Sequence, residues 1–151
     1  MISITIKNLA EFQKTISAYP EKSARNFNDA IKKSLLIIQR AATTRGRMPR
    51  DTGALASGWE LNVGTLRGIL KNKMQYAIFV HEGTGIFGPF KRPIVPKTKP
   101  FLAWQKDGIW HFAKSVRGMK ARPFLQQAVT EKEEEVNKIF NEALVKTLKQ
   151  V

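Results

Sequence analysis

The stretch GTGIFGPFKRPIVPKTKP, residues 83–100, constrains this chain more than any other part of it. Gly83, Gly85, Gly88, Pro89, Pro93, Pro96 and Pro100 punctuate it so closely that no helix or strand of ordinary length runs through it. A long loop is expected here, and long loops in compact domains usually carry function or move. The regular elements must therefore lie on either side of it.

On the N-terminal side, residues 1–6 alternate and are rich in Ile, which predicts a short strand. Asn8 is placed to cap a helix with Leu9, Phe12 and Ile16 on one face, and Pro20 interrupts that pattern. Ala24, Phe27, Ile31, Leu35 and Ile38 then recur at helical spacing up to about Ala42, opposite a face of Lys22, Arg25, Asp29, Lys32 and Lys33. A polar connector over 43–52 contains Arg45, Arg47 and Arg50. Trp59, Leu61 and Val63 alternate before a turn at Gly64-Thr65, and residues 66–70 continue as a second strand. Tyr76 to Val80, an apolar run of strand length, leads into His81-Glu82.

Beyond the loop, Asp107-Gly108 separates two aromatic-rich runs, the best hairpin signal in the chain. A two-residue turn there sets Trp104 opposite His111 and Ala103 opposite Phe112. From Arg122 a long helix is expected to reach Leu148, with Pro123 in its first turn and Leu125, Val129, Val136, Phe140, Ala143 and Leu144 as its apolar stripe. Glu131, Glu133, Glu134 and Glu135 in its first half, with Lys146 and Lys149 near its end, suit the helix dipole. The sum is an α+β fold, with a mostly antiparallel sheet of about four to five strands packed against a long N-terminal and a long C-terminal helix. At 151 residues, one domain spanning 1–151 is expected.

Charge narrows the partners. The chain carries 26 Lys+Arg against 12 Asp+Glu, a formal +14. Residues 61–122 hold 12 basic and 2 acidic residues, a net of +10, so the excess sits in the middle. Such a field attracts nucleic acid or acidic protein surfaces. With no Cys there is no disulfide framework and no thiolate site, which fits folding in a reducing cytoplasm. No run approaches the length of a membrane span and the N-terminus lacks a signal-peptide pattern, so a soluble, unexported chain with no membrane partner is expected.

Catalytic equipment is not expected. Gly83, Gly85 and Gly88 match a GxGxxG spacing, but Pro89, Pro93 and Pro96 follow, where a dinucleotide site needs a helix. His81 and His111 have no acidic cluster beside them to make a metal site. We expect no cofactor, no metal and no catalytic residue. Arg45, Arg47, Arg50, Phe87, Phe90, Lys91, Arg92, Lys97 and Lys99 are instead the candidate docking residues. Basic side chains beside aromatics also suit nonspecific nucleic-acid binding, although those aromatics stand at strand boundaries where packing is an equal use.

Three motifs, in order, carry a family resemblance. They are DTGALASGW at 51–59, YAIFVHEGTG at 76–85 and ARPFL at 121–125, with the basic loop and aromatic hairpin between the last two. Together they resemble the minor tail-component family of long-tailed double-stranded DNA bacteriophages and prophages, described as tail-completion or head–tail joining proteins. The resemblance implies a structural assembly protein acting in several copies as a ring or collar, in contact with the head connector and the tail terminator or tube. It also implies a place in the virion neck or tail, in host cytoplasm during assembly, with some charge near packaged DNA. It implies no catalytic residues.

Overall fold

The computed structural model describes residues 3–4, 21–44, 46–49 and 51–149. The expected helix around Leu9, Phe12 and Ile16 lies outside the described residues, as do Arg45 and Arg50. The chain forms two compact units: Met1–Gln75 with Phe124–Val151, and the intervening Tyr76–Pro123.

The first unit is built on β1 (Ser3–Ile4), α1 (Glu21–Ala42), the short α2 (Ala54–Ser57), β2 (Trp59–Gly64) and β3 (Arg67–Asn72). The second contributes α3 (Ala77–Glu82), a 3-10 turn (Gly85–Phe87), β4 (Leu102–Lys106) and β5 (Ile109–Ala113). The chain then returns to the first unit as α4 (Phe124–Leu148). The fold is α+β with antiparallel strands and long helices near both ends.

The helical reading of α1 follows from its periodicity. Phe27, Ile31, Leu35 and Ile38 are all buried, and Ala30, Ala41 and Ala42 complete the stripe. That face packs on β2, β3 and α4. Buried polar groups tie the layers together. Asn26 Nδ2 donates to Thr147 Oγ1 at 3.2 Å, joining α1 to α4. The Leu66 backbone N–H donates to Asn28 Oδ1 at 2.8 Å, fixing the β2–β3 turn on α1. Trp59 meets the buried Phe124 edge-on, with ring centroids 6.1 Å apart, which seats the start of α4 on β2.

The DTGALASGW segment has a defined structural role. Gly53 takes the left-handed conformation at the entry to α2, and Leu55 is buried. Buried Asn72 donates from Nδ2 to the Leu55 carbonyl at 2.8 Å, and its Oδ1 accepts from the Met74 N–H at 3.0 Å. One side chain thus anchors α2 to the end of β3.

Several expectations are corrected. The strands do not form one sheet of four to five. Among the described residues they divide into a three-stranded sheet, ordered β1-β3-β2, and the separate β4–β5 ribbon. The first hairpin turns at Thr65-Leu66 rather than Gly64-Thr65, because Gly64 already pairs with Arg67. Ala77 to Val80 lie in helix α3, with Tyr76 at its N-cap, rather than in a strand. Ala77 and Val80, three residues apart, are its buried positions while Phe79 is exposed. Five apolar residues are too few for either periodicity to show in sequence. The last helix starts at Phe124, with Pro123 just outside it.

Candidate docking surface

The Gly/Pro-broken stretch is held by backbone hydrogen bonds to the segment that returns from the hairpin. Thr84 N–H donates to the Met119 carbonyl at 2.9 Å, and Ile86 N–H to the Arg117 carbonyl at 2.9 Å. Ile94 and Val116 exchange both of their backbone bonds at 2.9 Å. Arg122 N–H donates to the Val80 carbonyl at 2.9 Å, and Met119 N–H to Thr84 Oγ1 at 2.9 Å. The HEGTG motif owes its glycines to this close approach. Gly85 (φ 63) and Gly118 (φ 91) pass so close to each other's segments that a Cβ on either would run into the opposite backbone. Residues 83–100 are thus a loop clamped at its base.

From that base projects the β4–β5 ribbon. Its register pairs Trp104 with His111 and Ala103 with Phe112, as the Asp107-Gly108 turn requires. Asp107 (φ 52) and Gly108 (φ 78) both take positive φ, the geometry of the tight hairpin turn that Asp-Gly favours. Both faces of the ribbon carry large apolar groups. One face presents Phe112 between Phe101 and Trp110, at centroid distances of 5.9 and 6.4 Å. The other presents Trp104 stacked on His111 at 5.5 Å, with Ile109 beyond. Phe112, Trp110 and Ile109 are 63%, 60% and 64% exposed.

Four exposed aromatics, each with about half of the 150–250 Å² that such a side chain can bury, present roughly 400 Å² of apolar surface. About three quarters of it, from Phe101, Trp110 and Phe112, lies on one face, at the lower end of the largest contiguous patch of an ordinary monomer.

None of the basic candidates belongs to β4 or β5. Lys91, Arg92, Lys97 and Lys99 are exposed, and the Arg92 guanidinium lies 5.7 Å from the ring centre of Phe90, itself 79% exposed. Phe87 is half-buried, with Arg117 at 5.8 Å and Lys120 at 6.0 Å from its ring centre. The expectation that boundary aromatics pack away therefore holds for Phe87 only in part, and Phe90 and Phe101 are exposed. Arg47 is placed differently. Its guanidinium donates to Glu131 on α4 and, at 3.3 Å, to the Ala41 carbonyl at the end of α1. The same bond to Arg47 is the main cause holding the Glu131 carboxyl below its ordinary range. Arg47 is engaged within its own unit.

Trp104, Ile109, Trp110 and Phe112 are surface residues the sequence reading placed on the hairpin without assigning them to docking. Their signal was present: aromatics on both alternations of one hairpin leave no solvent face.

Among the described residues, no group of three His, Cys, Asp or Glu side chains is placed to hold a metal ion. His81, in α3, has its pKa lowered, chiefly by burial, against the opposing pull of Glu82. No helix among the described residues is long and apolar enough to cross a membrane. No family model, curated protein or solved structure matches the chain.

Proposed function

We propose that this protein is a structural assembly component of a long-tailed phage or prophage. In this reading several copies form a ring or collar at the neck, completing the tail and joining it to the head connector. The observation that carries the proposal is the ribbon. A hairpin with apolar side chains exposed on both faces, on a clamped and strongly basic base, suits burial between neighbouring proteins. The three ordered motifs support the same reading, and the structure gives two of them backbone reasons: the Asn72 anchor beneath DTGALASGW and the Gly85–Gly118 approach behind HEGTG. The head connector and the tail terminator or tube are the partners on this reading, with the virion neck as the location.

The Lys91, Arg92, Lys97 and Lys99 side chains then steer an acidic neighbour onto the joint. Replacing all four with Gln should leave the fold intact and lower the yield of infectious joined particles by a factor of ten or so, reflecting about 1.4 kcal/mol of lost attraction. Unchanged yield removes the basic loop from the joint.

A second reading, nonspecific nucleic-acid binding, is favoured by the cations over Phe90 and Phe87. It requires steeply salt-dependent binding of an oligonucleotide by the isolated protein, lost in the same fourfold variant.

A further inference from the structure

The ribbon has an open edge as well as open faces. Among the described residues β5 pairs with β4 alone, so its outer edge has no partner strand. The Asp107-Gly108 turn closes on Lys106 and Ile109, which makes that pair hydrogen-bonded. Alternation from there turns the backbone N–H and C=O of Trp110 and Phe112 outward, away from β4. Such a row of outward donors and acceptors is satisfied by another extended polypeptide.

Nothing on β5 guards that edge. Ile109–Ala113 contains no Lys, Arg, Asp, Glu or Pro, and its pairing has no bulge, the devices that keep edge strands apart. Strand β4, by contrast, follows Pro100 and ends on Lys106.

The strand also fits itself. When β5 is laid antiparallel on a second copy of β5, about a two-fold axis at His111, Ile109 meets Ala113 and Trp110 meets Phe112 on both sides of the axis. This register pairs all five residues of the strand and puts Trp110 and Phe112 in the hydrogen-bonded positions. Lys114 of one copy then comes beside the Asp107-Gly108 turn of the other, an opposite charge at each end of the seam, while Lys106 lies one strand further from it. Residues 102–114 carry only Lys106, Asp107 and Lys114, a net of +1; the other seven basic residues of Tyr76–Pro123, and Glu82, lie outside the ribbon. Antiparallel pairing sets the two basic ribbon bases at opposite ends of the seam, about 14 Å apart for a strand of this length, beyond the screening length of about 8 Å in physiological salt.

We propose that two copies of this protein pair edge to edge through β5, joining their ribbons into one four-stranded antiparallel sheet. Trp110 lies beside Phe112 of the second copy on one side of that sheet, and the two His111 rings meet on the other. The pairing uses the edge and leaves both faces for other neighbours. It goes beyond the assembly reading and does not depend on it.

The absence of Cys gives a geometric test in the full chain. In this register the two copies of residue 111 form a non-hydrogen-bonded pair with Cα atoms about 4.5 Å apart, within disulfide reach. Residue 104 lies three strand spacings from its counterpart, about 14 Å, which is out of reach. Sedimentation equilibrium at pH 8, where imidazole side chains are uncharged, should show concentration-dependent dimers of the wild type. On oxidation His111→Cys should give a covalent dimer, and Trp104→Cys about tenfold less of one. A copy with Trp110→Lys and Phe112→Lys and a copy with Trp110→Glu and Phe112→Glu should each be monomeric, since like charges face each other across the seam. Mixing the two should recover the dimer. A monomeric wild type, a 104 cross-link as abundant as the 111 one, or folded charged variants that stay apart when mixed would each overturn the pairing. So would a monomer that instead binds a labelled single-stranded oligonucleotide through Trp110. Should the charged variants unfold, sedimentation of the wild type and the two cross-links decide alone. None of these outcomes touches the assembly reading, which fails only if particles join normally without the gene.

Discussion

Single side chains in this protein show which polar groups are used and which are not. Ser34 is fully buried on α1, and its hydroxyl has no hydrogen-bond partner among the described residues. Ser34→Ala removes that burden and adds helix propensity, so urea unfolding should show a gain of about 1 kcal/mol. Asn72 is the opposite case: both ends of its amide are bonded in the interior. Asn72→Ala strands the Leu55 carbonyl and the Met74 N–H, and the same measurement should show a loss of about 2–3 kcal/mol. His81 adds a pH dependence. Its folded pKa lies below 6.5, so the unfolded chain takes up the proton first as pH falls. Stability should be level above that value and decline below it until the folded pKa is passed. His81→Gln should flatten this step in a series of melting curves.

At the scale of elements, legibility depended on length and on local chemistry. The α1 stripe from Phe27 to Ile38 repeats often enough to fix both helix and buried face. The β4–β5 register was legible because Asp107-Gly108 admits a two-residue turn with both φ values positive. By contrast, α3 was hidden in five apolar residues that fit either period, and the two-sheet division depends on contacts distant in sequence. Exposure of Trp110 and Phe112 was legible only as a pattern, aromatics on both alternations of one hairpin, and which of them stay open depends on tertiary contacts. The clamp at the base of the loop yields a separate expectation. Gly118→Val should disrupt the 84–86 to 117–119 bonds, with rapid amide exchange at Thr84 and Ile86. Trp110→Ser and Phe112→Ser, at exposed positions, should change unfolding free energy by no more than about 0.5 kcal/mol. Losses well beyond that would mean the ribbon's aromatics hold the fold together rather than await a partner.

For the whole molecule, basic charge is dense and aromatic side chains are exposed on the same insertion, Tyr76–Pro123. The first unit buries its helices and sheet in a shared core, while Tyr76–Pro123 carries a net +7 and the exposed ribbon. Exposed aromatics beside dense basic charge on one insertion are the physical basis for reading the chain as a joint between proteins. The direct measurement is removal of the gene from an inducible phage, followed by electron microscopy of the lysate. The account predicts separate heads and tails, or incomplete tails, restored by the wild-type gene supplied in trans. Normal joined particles in the absence of the gene would contradict it.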